Sequence, residues 1–143
     1  MAERKSVRRE VEIVAKARAD VMESTVWLSG AQVAKLASMS TTNSHSQPCR
    51  WAQEGKIFAI KPAGGVELFP AYGLDPSIGY RPLKELTEII RILGEKKDAW
   101  GLAYWFASLN SYLGGRRPQD VLAQEPRCVI AAAADEAAVI VHG

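Results

Sequence analysis

Residues 100–122 read WGLAYWFASLNSYLGGRRPQDVL, and they are the most informative stretch of the chain. The first part is apolar around the whole helix circumference, which is typical of a helix buried on most sides. Gly114 and Gly115 then predict a turn, and Pro118 suits the first position of a new helix, where its missing N–H costs nothing. Arg116 and Arg117 lie between them. The plainest interpretation is a small helical core whose arginine pair is solvated.

The sequence on either side of this stretch predicts two more helices. Leu83, Leu86, Ile89 and Leu93 recur every three or four residues, so we expect a helix that begins at Pro82 and ends at Gly94. Asp98 is a candidate N-cap of the aromatic helix, and an alanine-rich helix should cover residues 128–141. Four short helices joined by tight turns predict a compact bundle.

Residues 27–69 carry a different pattern. Ser29 can cap a helix over residues 31–37, a polar turn covers residues 40–43, and a second helix should stop at Gly55, a good left-handed C-terminal residue. Residues 56–60 and 66–69 resemble two strands around a Pro-Ala-Gly-Gly turn. Two helices followed by a hairpin predict a winged helix-turn-helix, so the expected fold class is mainly α with a small β-hairpin wing and a C-terminal bundle.

Pro48 conflicts with an ordinary second helix. If that helix began at Ser44, with Asn43 as its cap, Pro48 would fall beyond the first turn and remove a hydrogen bond. If Ser46 is the cap, the helix is short and begins late. In both cases the surface that would contact DNA is distorted.

The N-terminal residues predict a separate helix. Val7, Val11 and Val14 form a narrow apolar seam over residues 6–23, with basic and acidic residues outside it. The helix could lie on the next domain, pair with a second copy, or contact phosphates as a basic arm. Residues 70–79 are rich in turn formers and predict a linker. We therefore divide the chain into an arm (1–24), a winged helix-turn-helix module (25–78) and a C-terminal helical domain (79–143).

Composition favours a globular cytoplasmic protein. The net charge is +2, with 15 Lys/Arg against 11 Asp/Glu (+4) in residues 1–97 and 3 against 5 (−2) in residues 98–143. A basic front half suits nucleic acid and a mildly acidic back half suits another partner. Cys49 and Cys128 do not form a disulfide framework, which indicates a reducing compartment. We expect no signal peptide and no membrane span, because no apolar run approaches about 20 residues.

The run from LSGAQVAKLA to RWAQEGKIFAI and GGVELFP resembles the winged helix-turn-helix of MerR and excisionase-like proteins. The resemblance implies operator DNA as a partner and makes Trp51 a core residue. Short polar side chains stand where the DNA-contacting helix would begin, and basic ones flank it. The candidate DNA-binding residues are Ser44, His45, Ser46, Gln47, Arg50, Lys56 and Lys61.

The central stretch, with the alanine-rich helix and Glu136 after it, resembles the C-terminal toxin-binding domain of the Xre/MbcA/ParS-type antitoxins. The match covers roughly residues 81–143 and is most specific over 105–122. The resemblance implies a RES-type toxin that degrades NAD as the partner, a type II toxin–antitoxin system, and neutralisation by covering the toxin's active site. The candidate toxin-binding residues are Tyr112, Arg116, Arg117, Gln119 and Asp120.

The alternative is a stand-alone transcription regulator whose C-terminal half is only a dimerisation bundle; in either case we expect a homodimer. An enzyme is not expected. His45 and Cys49 are one helical turn apart but have no second pair of metal ligands nearby, and no phosphate-binding glycine loop is present. The adjacent carboxylates Asp135 and Glu136 point apart on a helix. We expect no catalytic residues, no metal and no cofactor.

Overall fold

The structure is a computed structural model that describes residues 2–39 and 46–142. The described chain is mainly helical, with two small two-stranded antiparallel sheets. Its elements are α1 (Ala2–Ser24), β1 (Trp27–Ser29), α2 (Gly30–Leu36), α3 (Ser46–Gln53), β2 (Leu68–Pro70), β3 (Leu74–Asp75), β4 (Arg81–Pro82), α4 (Lys84–Leu93), α5 (Ala99–Ala107), α6 (Pro118–Val121) and α7 (Pro126–His142).

Local capping signals are confirmed at several helix ends. Ser29 forms a capping box with Gln32 at the start of α2, and the Asp98 side chain accepts a hydrogen bond of 2.8 Å from the Gly101 N–H in α5. Gly55 has φ +73° after α3, as its predicted left-handed role requires. The predicted start of α4 at Pro82 is wrong by two residues, because Pro82 belongs to β4 and the helix begins at Lys84.

The expected wing is reduced to a single bridge. Ile60 and Leu68 exchange two backbone hydrogen bonds of 2.9 and 2.8 Å, but β2 pairs mainly with β1, with Leu28 opposite Phe69. The cause lies in residues 56–60, where the consecutive residues Ile57 and Phe58 are both buried. Adjacent residues of a flat strand point to opposite faces, so a half-exposed hairpin strand cannot bury both.

Pro48 is the third residue of α3 as the structure describes that helix. Within a helix, the N–H at position 48 would donate to the carbonyl of residue 44, which lies outside the described residues. The choice between the two helix starts considered from the sequence therefore stays a prediction. Pro48 and Trp51 are both buried, and Trp51 packs in the core as the resemblance implied.

Residues 70–82 form a packed segment in which short 3₁₀ turns alternate with the β3–β4 hairpin. Leu74 is buried, and a Cβ at Gly73 would lie 3.0 Å from a methyl group of Leu86 and 3.2 Å from one of Ile57. A side chain at this position would require these two methyl groups to move by a few tenths of an ångström. One buried cluster contains residues from all three ranges of the expected domain division, whose boundaries remain a prediction.

Four aromatic rings join the two halves of the chain. Phe106 of α5 is fully buried, and its ring centroid lies 5.9 Å from that of Phe58 and 5.1 Å from that of Tyr72. Trp27 of β1 contacts Phe58 and Tyr72 edge-on, with ring centroids 6.4 Å apart in each pair. The ring cluster thus connects β1, the segment that follows α3, the segment that follows β2, and α5.

Replacing Phe106 with Ala should lower the free energy of unfolding by about 3–5 kcal/mol, because the change opens a cavity in this cluster. Urea titration followed by circular dichroism measures the effect. Tyr104→Ala, on the exposed face of the same helix, is the matched control and should change stability by no more than about 0.5 kcal/mol. Equal losses for the two variants would contradict the role given to the aromatic cluster.

Candidate partner-binding and nucleic-acid-binding surfaces

The segment from Asn110 to Arg116 forms a closed turn. The Asn110 side chain accepts a hydrogen bond of 2.9 Å from the Tyr112 N–H, and the Asn110 backbone N–H donates to the Arg116 carbonyl at 3.1 Å. Gly114 and Gly115 have φ values of +70° and +85°. Both conformations favour glycine, so the Gly-Gly pair is what lets the chain reverse between α5 and α6.

Both arginines of the turn have partners within the chain. Arg116 forms an ion pair with Glu125, and its Nε donates to the Leu113 carbonyl at 2.9 Å. Arg117 donates two hydrogen bonds to Asp120, of 2.8 and 3.3 Å. These contacts hold the two guanidinium groups in place at the surface. Exposed ion pairs of this kind contribute only about 0–1 kcal/mol, so a partner's carboxylate can replace them at little cost.

Gln119, a candidate toxin-binding residue, is buried. Its side-chain Nε2 donates to the Ser24 carbonyl at 2.9 Å, and the Ser24 hydroxyl lies 3.4 Å from its Oε1. The side chain thus connects α6 to the last turn of α1. Sequence reasoning could not find this contact, because the two residues are 95 positions apart.

Three large apolar side chains stand exposed on the central stretch. Tyr104 is 56% exposed, Leu109 78% and Tyr112 54%, although the helix that carries Tyr104 is otherwise mostly buried. The sequence singled out Tyr112 alone. Leu109 could have been noticed, since it lies beyond the end of the aromatic helix, between a serine and an asparagine. We call Tyr104, Leu109 and Tyr112 the exposed apolar residues of this stretch.

Two of these residues, Tyr104 and Leu109, line a cavity of about 290 Å³. On the α7 side it is bordered by Asp135 and by Glu136, whose carboxylate pairs with Lys97 at 3.3 Å. The indole N–H of Trp105, which also lines the cavity, is buried and has no hydrogen-bond partner among the described residues. The stretch therefore combines aromatic surface with a recess that carries charge.

The candidate DNA-binding residues divide into three groups. Ser44 and His45 lie outside the described residues; Ser46, Gln47 and Arg50 are on α3; Lys56 and Lys61 follow it. Lys56 pairs with Glu54 at 3.1 Å and Lys61 with Glu67 at 3.8 Å, which partly neutralises this side of the chain. Arg50 is exposed and forms no ion pair within the described residues.

Cys49 lies beside Glu67, the partner of Lys61. Its Sγ is 3.7 Å from Oε2 of Glu67, and burial together with that carboxylate raises the pKa of the thiol. His45, the other half of the zinc pair considered from the sequence, is outside the described residues. Within the part of the chain that the structure describes, no three His, Cys, Asp or Glu side chains cluster as metal ligands.

Among the described residues, none of the helices combines the length and the apolar character that crossing a bilayer requires.

Gln119→Ala should lower the free energy of unfolding by about 1–2 kcal/mol, because it leaves the Ser24 carbonyl without its partner. Gln124→Ala, at an exposed position just after α6, is the matched control and should stay within about 0.5 kcal/mol of the unmodified chain. Thermal and urea unfolding measure both. A neutral Gln119→Ala would mean that the contact to α1 contributes nothing to stability.

Comparison with known proteins assigns no family to this chain. No family model matches it, and no curated protein or solved structure is significantly similar to it.

Proposed function

We propose that this chain is the antitoxin of a type II toxin–antitoxin system. Its C-terminal part binds a RES-type toxin that degrades NAD and covers the active site of that enzyme. Its N-terminal part binds operator DNA as a homodimer and represses the operon that encodes both proteins. The observation that carries this proposal is the exposure of three large apolar side chains, Tyr104, Leu109 and Tyr112.

The exposure of these three residues favours a protein as the binding partner, for a physical reason. Tyr104, Leu109 and Tyr112 would each be more stable out of water, yet the described chain leaves more than half of each side chain exposed. Tyrosine is enriched at the centres of protein–protein interfaces, where its ring loses water and its hydroxyl keeps a polar contact. The neighbouring Arg116 and Arg117 add donors that can bind carboxylates at the rim of such an interface.

The toxin contact proposed here differs in composition from the set expected from the sequence. Tyr112, Arg116 and Arg117 remain in it, with Asp120 as the group that orients Arg117. Tyr104 and Leu109 are added because of their exposure, and Gln119 acts behind the surface by holding α6 on α1.

The DNA-binding half of the proposal places α2 and α3 as a helix-turn-helix and the segment around the Ile60–Leu68 bridge as a short wing. Residues of α2 and α3 pack together, and the buried Trp51 leaves Arg50, one position earlier, on the outside. Ser46 and Gln47 stand in the first turn of α3, the part of a recognition helix that faces base edges. Arg50, Lys56 and Lys61 would contact phosphates.

The double variant Tyr104→Ala/Leu109→Ala should weaken binding to the co-encoded toxin by about 100-fold or more, as loss of interface anchors does. Isothermal titration calorimetry measures the affinity, and growth of cells that express the toxin reports neutralisation. Val139→Ala, an equally exposed apolar residue on α7, is the control and should bind normally. Normal binding by the double variant would place the contact elsewhere.

The arginine pair gives a second test of the same surface. Arg116→Ala/Arg117→Ala should keep the melting temperature within a few degrees and keep DNA binding, because both ion pairs are exposed. Neutralisation of the toxin should be lost. If the unmodified chain fails to bind any co-encoded toxin, the stand-alone regulator becomes the better explanation.

Arg50→Ala/Lys56→Ala should weaken binding to the promoter fragment upstream of the gene. Each lost phosphate contact lowers the slope of log affinity against log salt by about one unit. Arg91→Ala/Lys96→Ala, a pair of exposed cations on and after α4, should leave the slope unchanged. Titrations by fluorescence anisotropy at several salt concentrations separate the two, and equal slopes for all three proteins would exclude α3 as the DNA-binding helix.

A further inference from the structure

The cavity between α5 and α7 has an unsatisfied hydrogen-bond donor in its wall. Trp105, which lines this cavity of about 290 Å³, is only 6% exposed, and its indole N–H has no partner among the described residues. A buried donor without a partner destabilises the folded chain. An acceptor atom of a ligand that enters the cavity would remove this cost.

The charged groups around the cavity favour a cation. Lys97, Asp135 and Glu136 line it, and one cation against two carboxylates leaves a net charge of −1. Lys97 and Glu136 neutralise each other in an ion pair of 3.3 Å. Asp135 is exposed and forms no hydrogen bond or ion pair within the described residues. Its carboxylate is therefore free to bind a cation from outside the chain.

The ring of Tyr104 narrows the choice of cation. It is 56% exposed and belongs to the wall of the same cavity. A guanidinium group is planar, stacks on aromatic faces and binds a carboxylate through two parallel N–H groups, whereas an ammonium group is a strongly hydrated point charge. A ring and a free carboxylate around one recess thus favour arginine over lysine.

We propose that this cavity receives an arginine side chain of the toxin. The guanidinium group would bind Asp135 and stack on Tyr104, and a main-chain carbonyl of the same segment would accept the hydrogen bond of the Trp105 N–H. Ligand pockets usually measure about 300–1,000 Å³, so this cavity suits one side chain with its peptide groups better than a whole cofactor. A phosphate group is disfavoured, because Lys97, the cation in the described wall, is already paired.

This inference rests on the proposed function, because the toxin supplies the arginine. It deepens that function by naming the group that the toxin inserts and the carboxylate that receives it. The exposed Tyr104 and Leu109 then form the rim through which the side chain enters.

Titration of the full chain with N-acetylarginine N-methylamide tests the cavity without any toxin. The indole N–H resonance of Trp105, identified by its loss in Trp105→Phe, should move as this probe binds with a dissociation constant of about 1–10 mM. N-acetylcitrulline N-methylamide has a similar shape without the charge and should bind about tenfold more weakly. A Trp105 resonance that does not move, or equal binding of the two probes, would overturn the inference.

Asp135→Asn identifies the carboxylate. This variant should bind the arginine probe about tenfold more weakly and the citrulline probe as before. Asp20→Asn, the same change at an exposed position of α1 outside the cavity, is the matched control and should bind both probes normally. Circular dichroism checks the fold of each variant. Equal binding of the arginine probe by the two variants would exclude Asp135 as its partner.

The toxin itself separates this inference from the proposed function. In calorimetry with the co-encoded toxin, Asp135→Asn should lower the affinity by about tenfold or more, and Asp20→Asn should not change it. If the toxin binds Asp135→Asn as tightly as the unmodified chain, it does not use the cavity and the inference is wrong. If no form of the chain binds the toxin, the proposed function fails, and the probe titration still decides whether the cavity binds a guanidinium group.

Discussion

The contact on which the rest of the structure depends is the ring cluster of Trp27, Phe58, Tyr72 and Phe106. Its four rings come from segments that are far apart in the sequence: β1, the residues after α3, the residues after β2, and α5. The cluster also carries a cost: the Tyr72 hydroxyl is buried without a hydrogen-bond partner in the described residues, and burial raises its pKa well above the usual value. The packing of four large rings offsets this cost and sets how α5 lies against the N-terminal residues.

Local chemistry was predictable from the sequence. Ser29 and Asp98 cap their helices, Gly55 and the Gly-Gly pair adopt positive φ, and the apolar spacing of α4 gives its buried face. Each of these depends on residues within about one helical turn of each other. The single stretch at 100–122 therefore gave the order helix, turn and proline-started helix correctly.

Long-range choices were not predictable. The strand Trp27–Ser29 pairs with Leu68–Pro70, and this pairing depends on which segments pack together in the core. A period-two pattern predicts a strand but not the strand with which it pairs. The same limit applies to the candidate site. Gln119 is buried and bonded to the Ser24 carbonyl of α1, whereas Tyr104 is exposed on a helix whose composition predicted burial on most sides. Periodicity gives the faces of a helix but not the number of neighbours around it.

The hydrogen bond from Gln119 to Ser24 links α6 directly to α1, two helices that both also pack against α5. Gln119 follows the glycine turn by four residues, and Ser24 is the last residue of the helix that projects from the body. A ligand that displaced α6 would break this hydrogen bond and so change how α1 is held. By the same coupling free energy, a ligand that moved α1 would change the affinity of α6 for its own ligand. The orientation of α1 and the conformation of the Asn110–Arg116 turn are thus thermodynamically coupled.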